Sequence, residues 1–302
     1  MSTRKFTYRY HACALGMGGV LKHPNGATTI IPSLASAVLA STGGEGCSEI
    51  SNYDRGGVSF SNMRSSVMGY DAAYRTFTTR SDVYITNLNL FGRVKAAILQ
   101  TSITSTRDVF EETSFEKQSD PDSARFSMQS MIRGLTVDGV EVIPELDLDL
   151  WECPTYEQFA ARIGGKNTDL YAKRFGIDPK NLKKLLTDKT QPIHGSFVRA
   201  LRYHPRDAYE PTDGFKLHVK NFGTIHVGEL TVERGERRAN LLRIEFDSPL
   251  AFGDRMPEEP RNAALAPKAA SRSSAIAAAE APYDGGSITA VSPGSNGAPS
   301  WP

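Results

Sequence analysis

Phe215-Lys-Leu-His-Val-Lys220-Asn-Phe-Gly-Thr-Ile225-His-Val-Gly-Glu-Leu230-Thr-Val232 alternates apolar and polar residues on both sides of Asn221-Phe222-Gly223. A period of two on each arm, with Gly closing the connection, is the pattern of a β-hairpin, and helical spacing cannot reproduce it. Setting Val219 opposite Ile225 and Leu217 opposite Val227 keeps four apolar residues on one face. It leaves a three-residue connection in which Gly223 is free to take a left-handed conformation. The same register puts His218 opposite His226. Beyond Val227 the apolar positions move from odd to even numbers, to Leu230 and Val232, which requires an extra residue, a bulge, near Gly228-Glu229. After Glu233-Arg-Gly-Glu-Arg-Arg238, Leu242, Ile244 and Phe246 alternate with Arg243, Glu245 and Asp247, a third strand with one solvated face.

Working outward, residues 1 to about 110 read as β-rich: Phe6, Tyr8 and Tyr10 alternate with Thr7, Arg9 and His11, and Val83 and Ile85 with Tyr84 and Thr86. Glu111 to Arg125 is polar and acidic and reads as an exposed loop. Leu135-Thr-Val-Asp-Gly-Val-Glu-Val142 supplies another hairpin, whose Asp138-Gly139 pair suits a two-residue turn with positive φ. Between about 155 and 190 the period becomes helical. Thr155 with Gln158 forms a capping box, Tyr156, Phe159, Ala160 and Ile163 share a stripe, and Gly164-Gly165 ends the helix. The segment around Leu170, Tyr171 and Phe175 reads as helical too, and Asp178-Pro179 starts another helix. The expected fold is therefore mainly β, an antiparallel sandwich or distorted barrel spanning 1–252 with a small helical insertion at about 155–190. From Gly253 the chain turns to Ala, Pro, Ser and Gly, a flexible tail over 253–302.

The 302 residues suffice for a sizeable core, and 35 basic against 34 acidic side chains leave a formal net charge of +1. That balance argues against a polyanion partner, and the Lys-rich face at Lys180, Lys183, Lys184 and Lys189 lacks interleaved base-reading residues. Cys13, Cys47 and Cys153 are widely spaced without zinc or redox spacing, which points to buried free thiols in a reducing, cytoplasmic setting. No apolar run follows the basic N-terminus, so neither a signal peptide nor a bilayer-spanning segment is expected.

Two constellations are weak metal candidates. Glu141, Glu145, Asp147, Asp149 and Glu152 alternate with Val140, Val142, Leu146, Leu148 and Leu150, and on an extended strand Glu145, Asp147 and Asp149 would share a face. A solvated acidic face or a dock for a basic partner accounts for them better, because calcium loops curl around their ion. His218 and His226, opposed across the hairpin, could grip a transition metal if a third ligand arrived; polar surface is the simpler meaning. No cofactor is implied. Gly16-Met-Gly-Gly19 lacks the third glycine of a dinucleotide loop, and Ser196 near His194 is a sequence neighbour, not a triad. In the tail, Ile288, Val291 and Trp301 are apolar groups that a solvating linker does not need. Ser287-Ile-Thr-Ala-Val-Ser292 could add to a sheet edge with Trp301 as an anchor.

Asn221-Phe-Gly223, Gly228-Glu-Leu230, Arg237-Arg238 and Leu241-Leu-Arg-Ile-Glu245, with Leu146-Asp-Leu-Asp-Leu150, resemble uncharacterised β-rich bacterial proteins. The resemblance implies a repeated fold type for the hairpins and brings no activity with it. The expected function is non-enzymatic: a structural or interaction protein that self-associates or docks another protein through sheet edges and the tail. The alternatives are a hydrolase-type enzyme with a dispersed site, and a pore-forming β protein suggested by the Ser/Thr-rich stretches at 76–86 and 101–106.

Overall fold

The computed structural model describes residues 7–22, 28–72, 76–108, 124–165, 168–176, 191–205, 209, 214–247 and 286–300. Six long strands come first: β1 (Thr7–Lys22), β2 (Thr28–Val38), β3 (Gly44–Arg55), β4 (Val58–Ala72), β5 (Thr76–Leu90) and β6 (Val94–Asp108). The shorter β7 (Arg125–Arg133), β8 (Thr136–Val137) and β9 (Val140–Leu146) follow, then a single 3-10 turn at Leu148–Leu150 and two helices, α1 (Tyr156–Ile163) and α2 (Thr168–Arg174). The chain returns to strands with β10 (Ile193–Ser196), β11 (Val198–Tyr203), β12 (Lys216–Val219), β13 (Gly223–Glu233), β14 (Glu236–Phe246) and β15 (Gly286–Ser300).

These strands form two antiparallel sheets, a sandwich without barrel closure. One runs β10-β13-β14-β15-β1-β2, with β12 also pairing β13; the other runs β11-β9-β8-β6-β5-β4-β3, with β7 also pairing β6. Alternation sets the inner faces as the sequence predicts. Tyr8 and Tyr10 are buried while Arg9 and His11 face out, and Val83 and Ile85 are buried beneath an exposed Tyr84. The core continues through Leu99, Ile103, Ile225, Val227, Leu242, Ile244 and Phe246, and removing this apolar surface from water is the main drive for the two layers to stack.

One lateral side of the sandwich is joined by a single residue. Phe197 separates β10 in the first sheet from β11 in the second; its N–H donates to Gly228 O at 2.9 Å, and its carbonyl accepts from Asp147 N–H at 2.8 Å. The helical insertion also forms as expected. Gln158 N–H donates to Thr155 Oγ1 at 3.2 Å, and Tyr156, Phe159, Ala160 and Ile163 are the buried residues of α1. Asp138 and Gly139, at φ of 47° and 80°, close the two-residue turn between β8 and β9. The expected loop at 111–125 falls almost wholly outside the described residues, as does the helix expected at Asp178-Pro179 with its lysines.

The decisive hairpin forms, but with its register two residues away from the expected one. Leu217 lies opposite Ile225, Val219 opposite Gly223, His218 opposite Thr224 and Lys216 opposite His226. The apolar faces survive because a slip of two preserves side-chain parity. Gly223 is not a spare turn residue. It belongs to the ladder with β14, and a Cβ there would lie 2.0 Å from Glu245 O. The turn instead closes over Lys220 to Phe222, with Asn221 at φ 57° and Phe222 N–H donating to Val219 O at 3.0 Å. The change of face after Val227 occurs at Gly228, at φ 65°, where the β13–β14 ladder skips one pair and both strands switch parity together.

Within the span read as a tail, residues 286–300 form β15, paired on both sides and not at an edge. Trp301 lies outside the described residues. Gly223→Ala should destabilise the fold by about 3 kcal/mol, because the added methyl meets the β14 backbone and not a movable side chain. Urea denaturation checks this, and Lys220→Ala in the same turn should change little.

Candidate functional site

The slot that receives β15 brings a strand paired on both sides next to a network of ion pairs. On one side β15 pairs with β1 from Thr7↔Ser300 to Leu21↔Gly286, and on the other with β14 from Arg237↔Ser295 to Glu245↔Ser287. Its sequence, GSITAVSPGSNGAPS, is poor in strand formers and carries two prolines. Proline cannot donate to a ladder. Pro293 falls where the β14–β15 ladder is interrupted between Gly294 and Ala290, and Pro299 lies beyond the β14 pairing, opposite Tyr8 of β1. Across the sandwich β15 approaches β5 and β6 closely. The buried residues of β5 and β6 include Thr79, Ser81, Thr101 and Ser105 beside Val83, Ile85, Leu99 and Ile103, so the facing strands mix hydroxyl side chains with hydrocarbon. Ala290 is the buried apolar side chain described on β15.

The β14 wall of the slot carries an ion network. His226 on β13 sits between Glu245, 3.1 Å from Nε2, and Glu229, 3.4 Å from Nδ1. Arg243 on β14 donates through Nε to Glu229 Oε2 at 2.8 Å and through Nη1 to Glu245, while its Nη2 lies 3.2 Å from His226 Nδ1. Burial pushes the His226 imidazole down to about 4; the cations of Arg243 and Lys216 add to this against the pull of Glu229. Burial acts to raise the Glu229 carboxyl, but hydrogen bonds and charge from Arg243 overcome it and hold that group below the usual carboxylate range. At neutral pH the His226 imidazole is neutral and Glu229 is a carboxylate. The face expected to be solvated is therefore half-buried and self-paired. Arg243 and Glu245 are opposed in register by Thr289 and Ser287 of β15, which places the network beside the inserted strand.

The two weak metal sets disperse. His218 and His226 are not opposed; His218 Nε2 lies 3.6 Å from Asp247 and His226 belongs to the network. The acidic series leaves the strand at Leu146, so Asp147 and Asp149 do not share a strand face with Glu145. Asp147 is 1% exposed and receives Arg174 Nη1 at 2.6 Å, with Arg199 at 3.5 Å, whereas Asp149 pairs with Arg162 and Glu145 with Arg202 near the surface. Arg174 also donates to Ser196 O at 2.8 Å and lies over Tyr171 and Phe175, fastening α2 to β10. Among the described residues no group of three His, Cys, Asp or Glu side chains could hold a metal ion.

Arg237, on β14 opposite Ser295, is buried and donates to Cys153 O at 2.6 Å and Thr155 O at 3.2 Å, with Phe126 and Phe159 against its guanidinium. Burial pulls it down to about 10, so it stays charged at neutral pH. Sequence reasoning gave no site role to Arg243, Glu245, Arg174 or Arg237. The alternation of Arg243, Glu245 and Asp247 was visible, but alternation alone does not tell a solvated face from one whose charges satisfy each other. Of the expected interaction residues, Ile288 lies between Gly19 and Ile244 in register, Val291 lies in β15, and Trp301 is outside the described residues.

Because the folded pKa of His226 is below its ordinary 6.5, the unfolded chain takes up this proton first as pH falls. The stability from the neutral imidazole is complete above about 6.5 and is lost progressively toward 4, by about 3 kcal/mol in total, while that from Glu229 is lost at lower pH still. Unfolding free energy against pH should show this slope, and His226→Gln should flatten it between 6.5 and 4. Asp147→Asn should cost about 3 to 5 kcal/mol in denaturant titration, because it leaves the Arg174 charge buried and unpaired. A solvated Asp147 would predict no change.

No helix among the described residues is long and apolar enough to cross a membrane. No curated protein and no solved structure matches the chain. A family model does match residues 8–191, from β1 through the helical insertion, in agreement with the resemblance to uncharacterised β-rich proteins. The chain belongs to the family described as Domain of unknown function (DUF8256).

Proposed function

We propose that this protein is a non-enzymatic structural or interaction protein that associates with itself or another protein by β-strand pairing. The observation that carries this reading is β15: a C-terminal strand of Gly, Ser, Ala and Pro seated between β14 and β1, where it satisfies two facing rows of backbone groups. Recognition by strand addition works in this way, with main-chain hydrogen bonds giving affinity and few side chains required. A second feature supports it. Among the described residues β2 pairs with β1 alone, and it carries Ile30 and Val38 at 71% and 69% exposure, apolar groups on an edge strand of the kind that proteins otherwise guard with charge.

Light scattering coupled to size exclusion tests the reading. The full chain should scatter well above its 33.0 kDa monomer mass at micromolar concentration, and Ile30→Lys with Val38→Lys should lower the assembly size without lowering thermal stability. A chain that stays monomeric over the whole accessible concentration range, with the same profile in the double variant, overturns self-association through these elements.

A further inference from the structure

We infer that the slot between β14 and β1 is filled in trans as well as in cis, by β15 of a second copy of this chain, so that copies are joined by strand exchange. The inference rests on the reading above and names the partner and the surface.

Three observations carry it. The first is the connection. Glu245 at the end of β14 is opposite Ser287 at the start of β15, an antiparallel junction that two to five residues would close. The chain places the 38 residues 248–285 there, rich in Ala, Pro and Ser. By length alone that is far more chain than the junction needs: 38 residues behaving as a random coil would span about 35 Å root mean square, whereas the cis junction needs only a few ångströms.

The second is the strand itself. Its small, turn-prone residues and two prolines give β15 little tendency to hold an extended form alone. It becomes a strand because two edges present their backbone groups to it at once, and any copy's β15 meets the same two edges. The third is what lies across from it. β5 and β6 face it, and apart from Ile288 and Val291 the strand is made of Gly, Ser, Thr, Ala, Asn and Pro, so seating β15 buries less hydrocarbon than a strand of large aliphatic residues would. The binding is then mostly backbone pairing, which is identical for a cis and a trans strand. Exchange conserves every hydrogen bond of the native sheet and changes only which chain supplies them, the condition under which swapped and closed forms differ mainly through the tether.

The register supplies the test, because native Cys13 of β1 lies opposite Gly294 of β15. Two differently tagged full-length proteins are mixed, both with Cys47→Ser and Cys153→Ser. The donor also carries Gly294→Cys and Cys13→Ser, and the acceptor keeps Cys13. In the donor a cis strand has no partner thiol, so a disulfide joining the two tags requires a donor β15 in an acceptor slot. The expected result is a mixed-tag disulfide that grows with total concentration and vanishes when the acceptor carries Cys13→Ser. As a reference, one chain with both Cys13 and Gly294→Cys reports where its own strand sits. If that chain closes only on itself and no mixed-tag species forms, β15 is a cis strand and the inference falls. Light scattering on the same samples separates the two ideas. An assembly without the mixed disulfide leaves self-association standing by another edge, and a monomer without it removes both. If the reference chain forms no disulfide of either kind, β15 does not occupy the slot, which also overturns the inference.

Discussion

The sheet that holds the two ends of the chain together depends on one requirement: the backbone groups along the facing edges of β14 and β1 must find partners, and a single strand has to serve both. Neither edge could be left bare in the interior without a cost per unpaired group comparable to a lost hydrogen bond. β15 meets the requirement with little else to offer, since its residues are small and its prolines fall where pairing with β14 is absent. The strands across from it, β5 and β6, mix buried hydroxyl and aliphatic side chains. Withdrawing β15 would divide the first sheet into a pair, β1 and β2, and a group of β10, β12, β13 and β14.

Three guanidinium groups, two of them buried, brace the rest of the fold. Arg174 ties α2 to the Asp147 turn and to β10, Arg237 ties β14 to the loop that starts α1, and Arg243 gathers Glu229, Glu245 and His226 on the other face of β13 and β14. Guanidinium suits this task because its planar fork reaches several acceptors at once and stays charged when buried. Arg237 has only carbonyls among its described hydrogen-bond acceptors, together with two aromatic rings, so its value lies in fixing geometry more than in net attraction.

Much of the architecture was legible from period and turn chemistry. Alternation at Tyr8 and Tyr10, the Asp138-Gly139 turn and the Thr155 cap all reflect local rules, and each formed as read. The hairpin register did not, for a definite reason: a slip of two leaves Leu217, Val219, Ile225 and Val227 on the same face, so hydrophobic pattern is blind to it. What decided it was the approach of the β14 backbone to Gly223, a tertiary fact. The acidic series was misread through the same limit, because the period of two at Asp147 and Asp149 continued on paper after the strand had ended at Leu146. β15 was foreseen as a strand that could add to an edge. Its seat between two strands was not foreseeable, since the residues opposite it lie near both ends of the chain and alternation carries no information about which strands are neighbours.

The one-residue corner at Phe197 bears on how the molecule breathes. A residue that gives its N–H to β13 and its carbonyl to the turn after β9 belongs to both layers at once. At that side the layers cannot slide or part like the covers of a book without breaking both bonds together. The low-energy openings left to the sandwich are those that peel one strand lengthwise, so amide exchange should mark out strands, not whole sheets, as the units of local fluctuation.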